Sequence, residues 1–325
     1  MPALKACIKQ NARAIAGVLL LALLNGCATF IPQTVALRDA PPADLKPGVE
    51  LSELPFFPQD EYQCGPAALA TVLAHQHVSV TPEQLVSQVY VPERKGSLQI
   101  EMLAAARRHG MVSYRLEPKM HDLLREVEAG NPVIVLQDLG ISPFNKWHYA
   151  VVAGYDLQKE EIILRSGDKK RQVIPIGSHE FVWRKSDYWA MVALPPDRIP
   201  ATATELGWLS ALAAFERVNP QRARDGYSAF LKRWPDNVDA MIGLANAHYA
   251  SGDLKQAEAI LRRAQQRRAD SPVVLNNLAQ TLSDQGRNAE ALPLAERAVA
   301  AGGPFAAAAS ETRDLIRSRL TSKAQ

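Results

Sequence analysis

The stretch CGPAALATVLAHQ, from Cys64 to Gln76, sets a thiol at the head of a helical pattern. Pro66 suits the first turn of a helix, so Cys64 falls at the helix start, where unpaired amides and the macrodipole favour thiolate over thiol. Gly65 lets another backbone come close. The Cys64 amide lacks an intrahelical partner and is free to donate to an oxyanion, and Gln59, upstream, offers a second donor from its side chain. Nucleophile and oxyanion donors are two parts of acyl-transfer chemistry; the third is a base that also serves as acid.

Seven histidines compete for that role. His75 and His77 lie on or just past the helix begun by Cys64, roughly 16 Å or more along its axis at 1.5 Å per residue, and are out of reach. His109 precedes a helix-ending glycine, His121 and His179 sit in short polar stretches near helix starts, and His248 lies in the C-terminal half. His148, in NKWHYAVVAGY, stands at the mouth of the most apolar strand, after a loop with Pro143 and Trp147. A histidine at the edge of a core strand is more often structural, and a free cysteine is more often a small buried hydrophobe. Their joint occurrence raises the functional reading of both. No group of His, Cys and carboxylate residues has metal-ligand spacing, so the sequence implies neither metal nor cofactor.

The other two cysteines have different fates. Lys5, Lys9 and Arg13 precede an apolar run from Ala14 to Leu24 that is too short to span a bilayer, the pattern of an export signal. The following LLNGCA resembles the lipobox of bacterial lipoproteins, which implies cleavage before Cys27 and its acylation; the alternative is a soluble secreted protein cut near Ala28. Ala28 after the cysteine resembles lipoproteins of the outer membrane, so the expectation is an envelope protein facing the periplasm. Cys7 would leave with the signal and Cys27 become a thioether, so Cys64 is left as a single thiol in an oxidising compartment, where it must be buried or used.

The elements that must position these residues divide in two. Residues 28–54 are rich in Pro and small or polar residues and read as a tether. From 55 to 196, helices come first. After the Cys64 helix, Thr81, Pro82 and Gln84 open a second, SLQIEMLAAARRHG forms a third from Ser97 to a stop at Gly110, and MHDLLREVEAG holds a fourth. Short β-rich runs follow: PVIVLQDL, HYAVVAGYD, EEIILRSG, QVIPI and YWAMVAL. Segregated helices and strands predict an α+β domain with an antiparallel sheet.

From 204 the sequence repeats with a period of 34, anchored on Ser210, Leu244 and Leu278. Ala211, Ala245 and Ala279 follow the anchors, Ala223, Ala257 and Ala291 mark a tight second-helix contact, and Gly252 and Gly286 fall in the turn between. That period is the length of a tetratricopeptide repeat, giving copies at 204–237, 238–271 and 272–305 with a capping helix to 322, an all-α solenoid that presents a groove to a peptide or protein partner. The first copy is the weakest, with Ser210 and Val218 where Leu and Gly are expected. A formal charge of +3 over 325 residues gives no argument for nucleic acid.

Gln59 and CGPAALATVL, followed by HYAVVAGYD, resemble the bacteriocin-processing (double-glycine leader) cysteine peptidases and their papain-like relatives, over roughly residues 55–194. The resemblance implies a papain-like fold with Cys64 as nucleophile, His148 as general base and acid, and Gln59 as oxyanion donor, although Gln59 stands one residue closer to the cysteine than such enzymes usually place it. The residue that orients the histidine is normally an Asp in an Asp-Pro pair at the end of the next strand, and matching EEIILRSG to that strand puts Ser166 there. A hairpin centred on Gln158 and Lys159 brings His148 opposite roughly residue 169, so Asp168 is reachable as well. Asp156 reads as an exposed turn residue. The expectation is a membrane-anchored cysteine peptidase, hydrolase or transferase, with repeats that dock substrate or partner. The rival is a degenerate peptidase fold serving as a binding or scaffold lipoprotein.

Overall fold

A computed structural model describes residues 30–59, 63–94, 96–141 and 143–322. Cys7, the export signal and Cys27 lie outside the described residues, among which no helix is long and apolar enough to cross a membrane. Two compact units emerge: one runs to Ala105 and includes Arg115–Val192, the other joins Ala106–Tyr114 to the chain from Ala193 onward.

The helices of the first half are Pro32–Asp39 (α1), Cys64–His75 (α2), Pro82–Val89 (α3), Gln99–Arg108 (α4), Met120–Glu128 (α5) and Ile176–Trp183 (α6). Its strands are Gly48–Glu50 (β1), Tyr90–Val91 (β2), Gly96–Ser97 (β3), Val112–Arg115 (β4), Val133–Asp138 (β5), Trp147–Asp156 (β6), Glu161–Ser166 (β7), Lys169–Pro175 (β8) and Ala190–Leu194 (β9). Within the first unit the sheet runs β9-β5-β6-β7-β8, antiparallel throughout, with β1 added to the far end of β6. This is the expected α+β arrangement. The helix α2 is apolar on nearly every side and is buried from Gly65 to Leu73, packed across β6; such a helix has no solvated face to show. Thr81 and Gln84 form the capping box that opens α3.

Three expectations need correction. Residues 30–54 are not a free tether. The buried carboxylate of Glu180 on α6 accepts hydrogen bonds from the Gln33 and Thr34 amides and the Thr34 hydroxyl, pinning the start of α1, while Leu45 and Leu54 are buried and β1 joins the sheet. Proline and small residues there serve turns between short docked elements, a use that composition does not separate from a linker. The third helix begins at Gln99, because Ser97 pairs with Tyr90 in the small β2–β3 ribbon. And the strand expected in QVIPI ends at Pro175, because Ile176 opens the helix Ile176–Trp183, which the sequence had not announced.

The second unit contains the helices Glu205–Glu216 (α7), Pro220–Arg233 (α8), Val238–Ala250 (α9), Leu254–Arg267 (α10), Pro272–Asp284 (α11), Asn288–Ala300 (α12) and Ala306–Ser322 (α13). Ala223, Ala257 and Ala291 are fully buried, so the second helix of each pair approaches its neighbour closely. Gly252 and Gly286 take φ of +82° and +81° in the turn, a conformation that costs glycine nothing. The first pair departs where its sequence does: Ser210 is exposed and donates to the Leu206 carbonyl. The last helix, α13, covers α11 and α12 through Ala309, Ala298 and Leu275.

Candidate active site

Cys64 is the first residue of α2, and its neighbours follow from how tightly that helix end is packed. A Cβ on Gly65 would lie 2.2 Å from the Ser97 hydroxyl oxygen, so only glycine lets β3 sit against the helix start. The carbonyl of Ser97 accepts a hydrogen bond from the Tyr149 hydroxyl at 3.1 Å, and the Tyr149 ring packs edge-on against Trp189. Tyr149 is thereby fixed on β6, and its backbone N–H is directed at the Cys64 sulfur. It directly follows His148 in the chain.

The His148 ring is held from the other side. Its Nε2 lies 2.9 Å from the Ser166 Oγ at the end of β7. The hairpin expectation held for its first pairs, Asp156 with Glu161 and Gly154 with Ile163, but a register shift between Val152 and Gly154 moves the remaining pairs by one. Ser166 closes β7 by pairing with Lys169, which leaves Asp168 exposed in the β7–β8 turn; Ser166, not Asp168, is the residue bonded to His148. Gln59 reaches the same corner: its N–H donates to the Gly167 carbonyl at 3.1 Å, next to Ser166. Asp156 is a turn residue, accepting from the Gln158 and Lys159 amides.

Electrostatics at rest favour a neutral pair. Burial pushes the Cys64 thiol above its ordinary value, although the amides of Tyr149, Gly65 and Cys64 itself act in the opposite direction. Burial, aided by the Lys146 ammonium, pushes the His148 imidazole down to about 4. The helix start on its own favours the thiolate, but desolvation of the charged form outweighs it. For His148 to accept a proton at Nδ1, its Nε2 must carry hydrogen and donate to Ser166. A carboxylate would enforce that tautomer, whereas a hydroxyl can serve as donor or acceptor.

Four of the other six histidines make contacts elsewhere. His75 bonds the Gly130 carbonyl, His121 bonds Asp44, and His248 lies beside Asp253. His179 is fully buried, stacked on Trp183 with Nδ1 bonded to Gln137, and burial pushes it to about 3. Among the described residues no cluster of His, Cys and carboxylates could hold a metal ion.

Two contributions escaped sequence reasoning. One is Tyr149, whose role lies mostly in its backbone. The other is Asp138, buried at the end of β5, which accepts from the Gly140 and Lys146 amides and from Asn145, while Lys185 donates to the Asp138 and Gly140 carbonyls. Together they shape the loop that delivers His148. The spacing Asp138-Leu139-Gly140 is a recognisable Asx-turn signal, visible only once the strand end is known.

Residues 51–190 match the Peptidase_C39 like family, and residues 214–280 and 273–301 match tetratricopeptide repeat families. No curated protein matches the chain. Among solved structures, a double glycine motif protease from an AMS/PCAT transporter, in complex with the leader peptide, is 26% identical with TM-score 0.36, covering 45% of this chain and 94% of its own. The peptidase domain of Streptococcus ComA, a bifunctional ABC transporter, is 20% identical with TM-score 0.37, covering 44% and 98%. On the repeat side, the translocator chaperone SycD of Yersinia enterocolitica is 16% identical with TM-score 0.35, covering 38% and 96%.

Proposed function

Starting from a chain that carries a Peptidase_C39-like domain followed by tetratricopeptide repeats, we propose that it is a membrane-anchored cysteine peptidase of the bacterial envelope. The observation that carries this reading is the convergence on Cys64: its sulfur meets the amide of Tyr149, the residue after His148, whose ring is steadied by Ser166. In the reaction the thiol proton passes to His148 Nδ1 as sulfur attacks the peptide carbonyl carbon. The oxyanion is held by the Cys64 amide and the Gln59 side chain. Collapse breaks the C–N bond, His148 returns the proton to the leaving amine, and a thioester remains. Water, deprotonated by His148, then releases the acid and the thiol; an amine in place of water would make the enzyme a transferase. The repeats supply a groove for a peptide or protein partner, and acylation of Cys27 supplies the anchor.

Digestion of a mixed peptide library tests the assignment. Wild type is expected to produce a defined set of cleavages that Cys64→Ala and His148→Ala both abolish, and identical peptide patterns for all three would reject it. One observation favours a second reading, a binding module on a degenerate peptidase fold: among the described residues no carboxylate is bonded to His148, and burial favours the neutral form of both Cys64 and His148. In that case substrate-like peptides bind the wild type and Cys64→Ala alike and leave uncut.

A further inference from the structure

Six of the twelve large hydrophobic side chains exposed among the described residues lie in one patch and the β5–β6 loop beside it. A concentration of that kind marks a surface meant to be covered, whereas scattered exposed apolar residues are ordinary. Phe30 and Phe181 meet edge to face with ring centroids 6.2 Å apart, and the Arg184 guanidinium lies 4.8 Å from the Phe30 ring centre. The Lys185 ammonium is 5.2 Å from the Phe181 ring centre and donates to the Gly140 carbonyl, joining this pair to the loop. At the loop tip Ile141 is 83% exposed and Phe144 80%, bridged to each other and held by the buried Asp138. Exposed apolar side chains clamped by buried polar bonds are presented outward.

We infer that this face rests on the lipid bilayer, with Ile141, Phe144, Phe30 and Phe181 entering the interface and Arg184 and Lys185 set at the level of anionic headgroups; the inference rests on the anchoring proposed above. Chain length singles out lipid as the occupant. Phe30 is three residues from Cys27 and six from Leu24, so an anchor at Cys27 holds Phe30 within about 11 Å, and an uncut apolar segment within about 22 Å. The docking of α1 through Glu180 fixes Phe30 to the domain, so the anchor's reach is short. Aromatic and cationic side chains together suit the headgroup boundary. The same loop runs into Trp147 and His148, which brings the catalytic cleft to the membrane surface and makes membrane-proximal segments of envelope proteins the substrate class.

The test uses the full chain with Phe144→Trp, reconstituted in vesicles of phosphatidylethanolamine and phosphatidylglycerol, with or without bromine on the acyl chains. The emission added at position 144 relative to wild type should fall at least about twofold on bromination, and Arg184→Glu with Lys185→Glu should weaken that quenching. Flotation with the vesicles but no added quenching overturns the lipid-facing assignment and leaves the anchor intact; this is also the outcome if the patch instead docks an apolar protein segment. A chain that fails to float overturns both.

Discussion

Replacing Ser166 by Asp tests how the Cys64–His148 pair is tuned. The Ser166 oxygen sits 2.9 Å from His148 Nε2, a distance at which a carboxylate makes a charge-assisted bond to an imidazolium. Charged hydrogen bonds contribute about 1.5–3 kcal/mol against about 1 for neutral ones, so the imidazolium gains about 0.5–2 kcal/mol, or about one pKa unit. His148 should therefore rise from about 4 to about 5. His148 is neutral at the alkaline pH where Cys64 ionises, so the added carboxylate there opposes the thiolate and Cys64 should ionise at higher pH. Alkylation by iodoacetamide, mapped to Cys64 by mass spectrometry, reads this without a substrate. In wild type the rate should climb only at alkaline pH, because burial pushes the thiol up. In Ser166→Asp the climb should begin at higher pH, because the new carboxylate faces a neutral His148 and repels the thiolate. Ser166→Ala, which loses a neutral hydrogen bond worth about 1 kcal/mol, should reduce kcat/KM by about fivefold to tenfold. A wild-type profile with a thiolate plateau below neutral pH, or a Ser166→Asp profile identical to wild type, would refute the reasoning.

Other consequences are independent of catalysis. His179 is neutral in the fold at about 3, while its unfolded value is about 6.5, so its contribution to stability is present above the unfolded value and is lost as pH falls through the folded one. Between pH 7 and 5 the unfolded chain takes up that proton, and wild type should lose about 2 kcal/mol more than His179→Leu in urea titrations at the two pH values. Gly65→Ala forces a methyl group onto the Ser97 hydroxyl, so it should cost about 1–3 kcal/mol in the same titration and slow Cys64 alkylation. Glu180→Ala removes the acceptor for Gln33, Thr34 and Tyr188; it should destabilise the domain by about 3 kcal/mol and open residues 30–40 to limited proteolysis at low protease concentration.

Much of this architecture was legible because it rests on local chemistry. The capping box at Thr81, the turn glycines at Gly252 and Gly286 and the alanines at Ala223, Ala257 and Ala291 each state their role within one helical turn or one repeat. Cys64 was legible for the same reason, since Pro66 marks the helix start. What escaped depends on distant partners. The segment before Pro55 reads as a linker until Glu180, far along the chain, accepts the amides of Gln33 and Thr34. Ser166 and Asp168 stayed unresolved because a single bulge beside Val152 decides the strand end, and turn chemistry does not announce a bulge inside a strand. The charge state of Cys64 was misjudged because helix-end amides are visible in sequence, while the burial that outweighs them is not.

The central claim is that Cys64 attacks an acyl carbon with His148 taking its proton. A peptidyl thioester on Cys64, caught by rapid acid quench and intact-protein mass spectrometry during turnover of a cleaved peptide, tests it most directly. The account predicts an acyl adduct on Cys64 in wild type, decaying with product release, and none in His148→Ala. Peptide cleavage without any adduct, or an adduct that forms equally fast without His148, would contradict it.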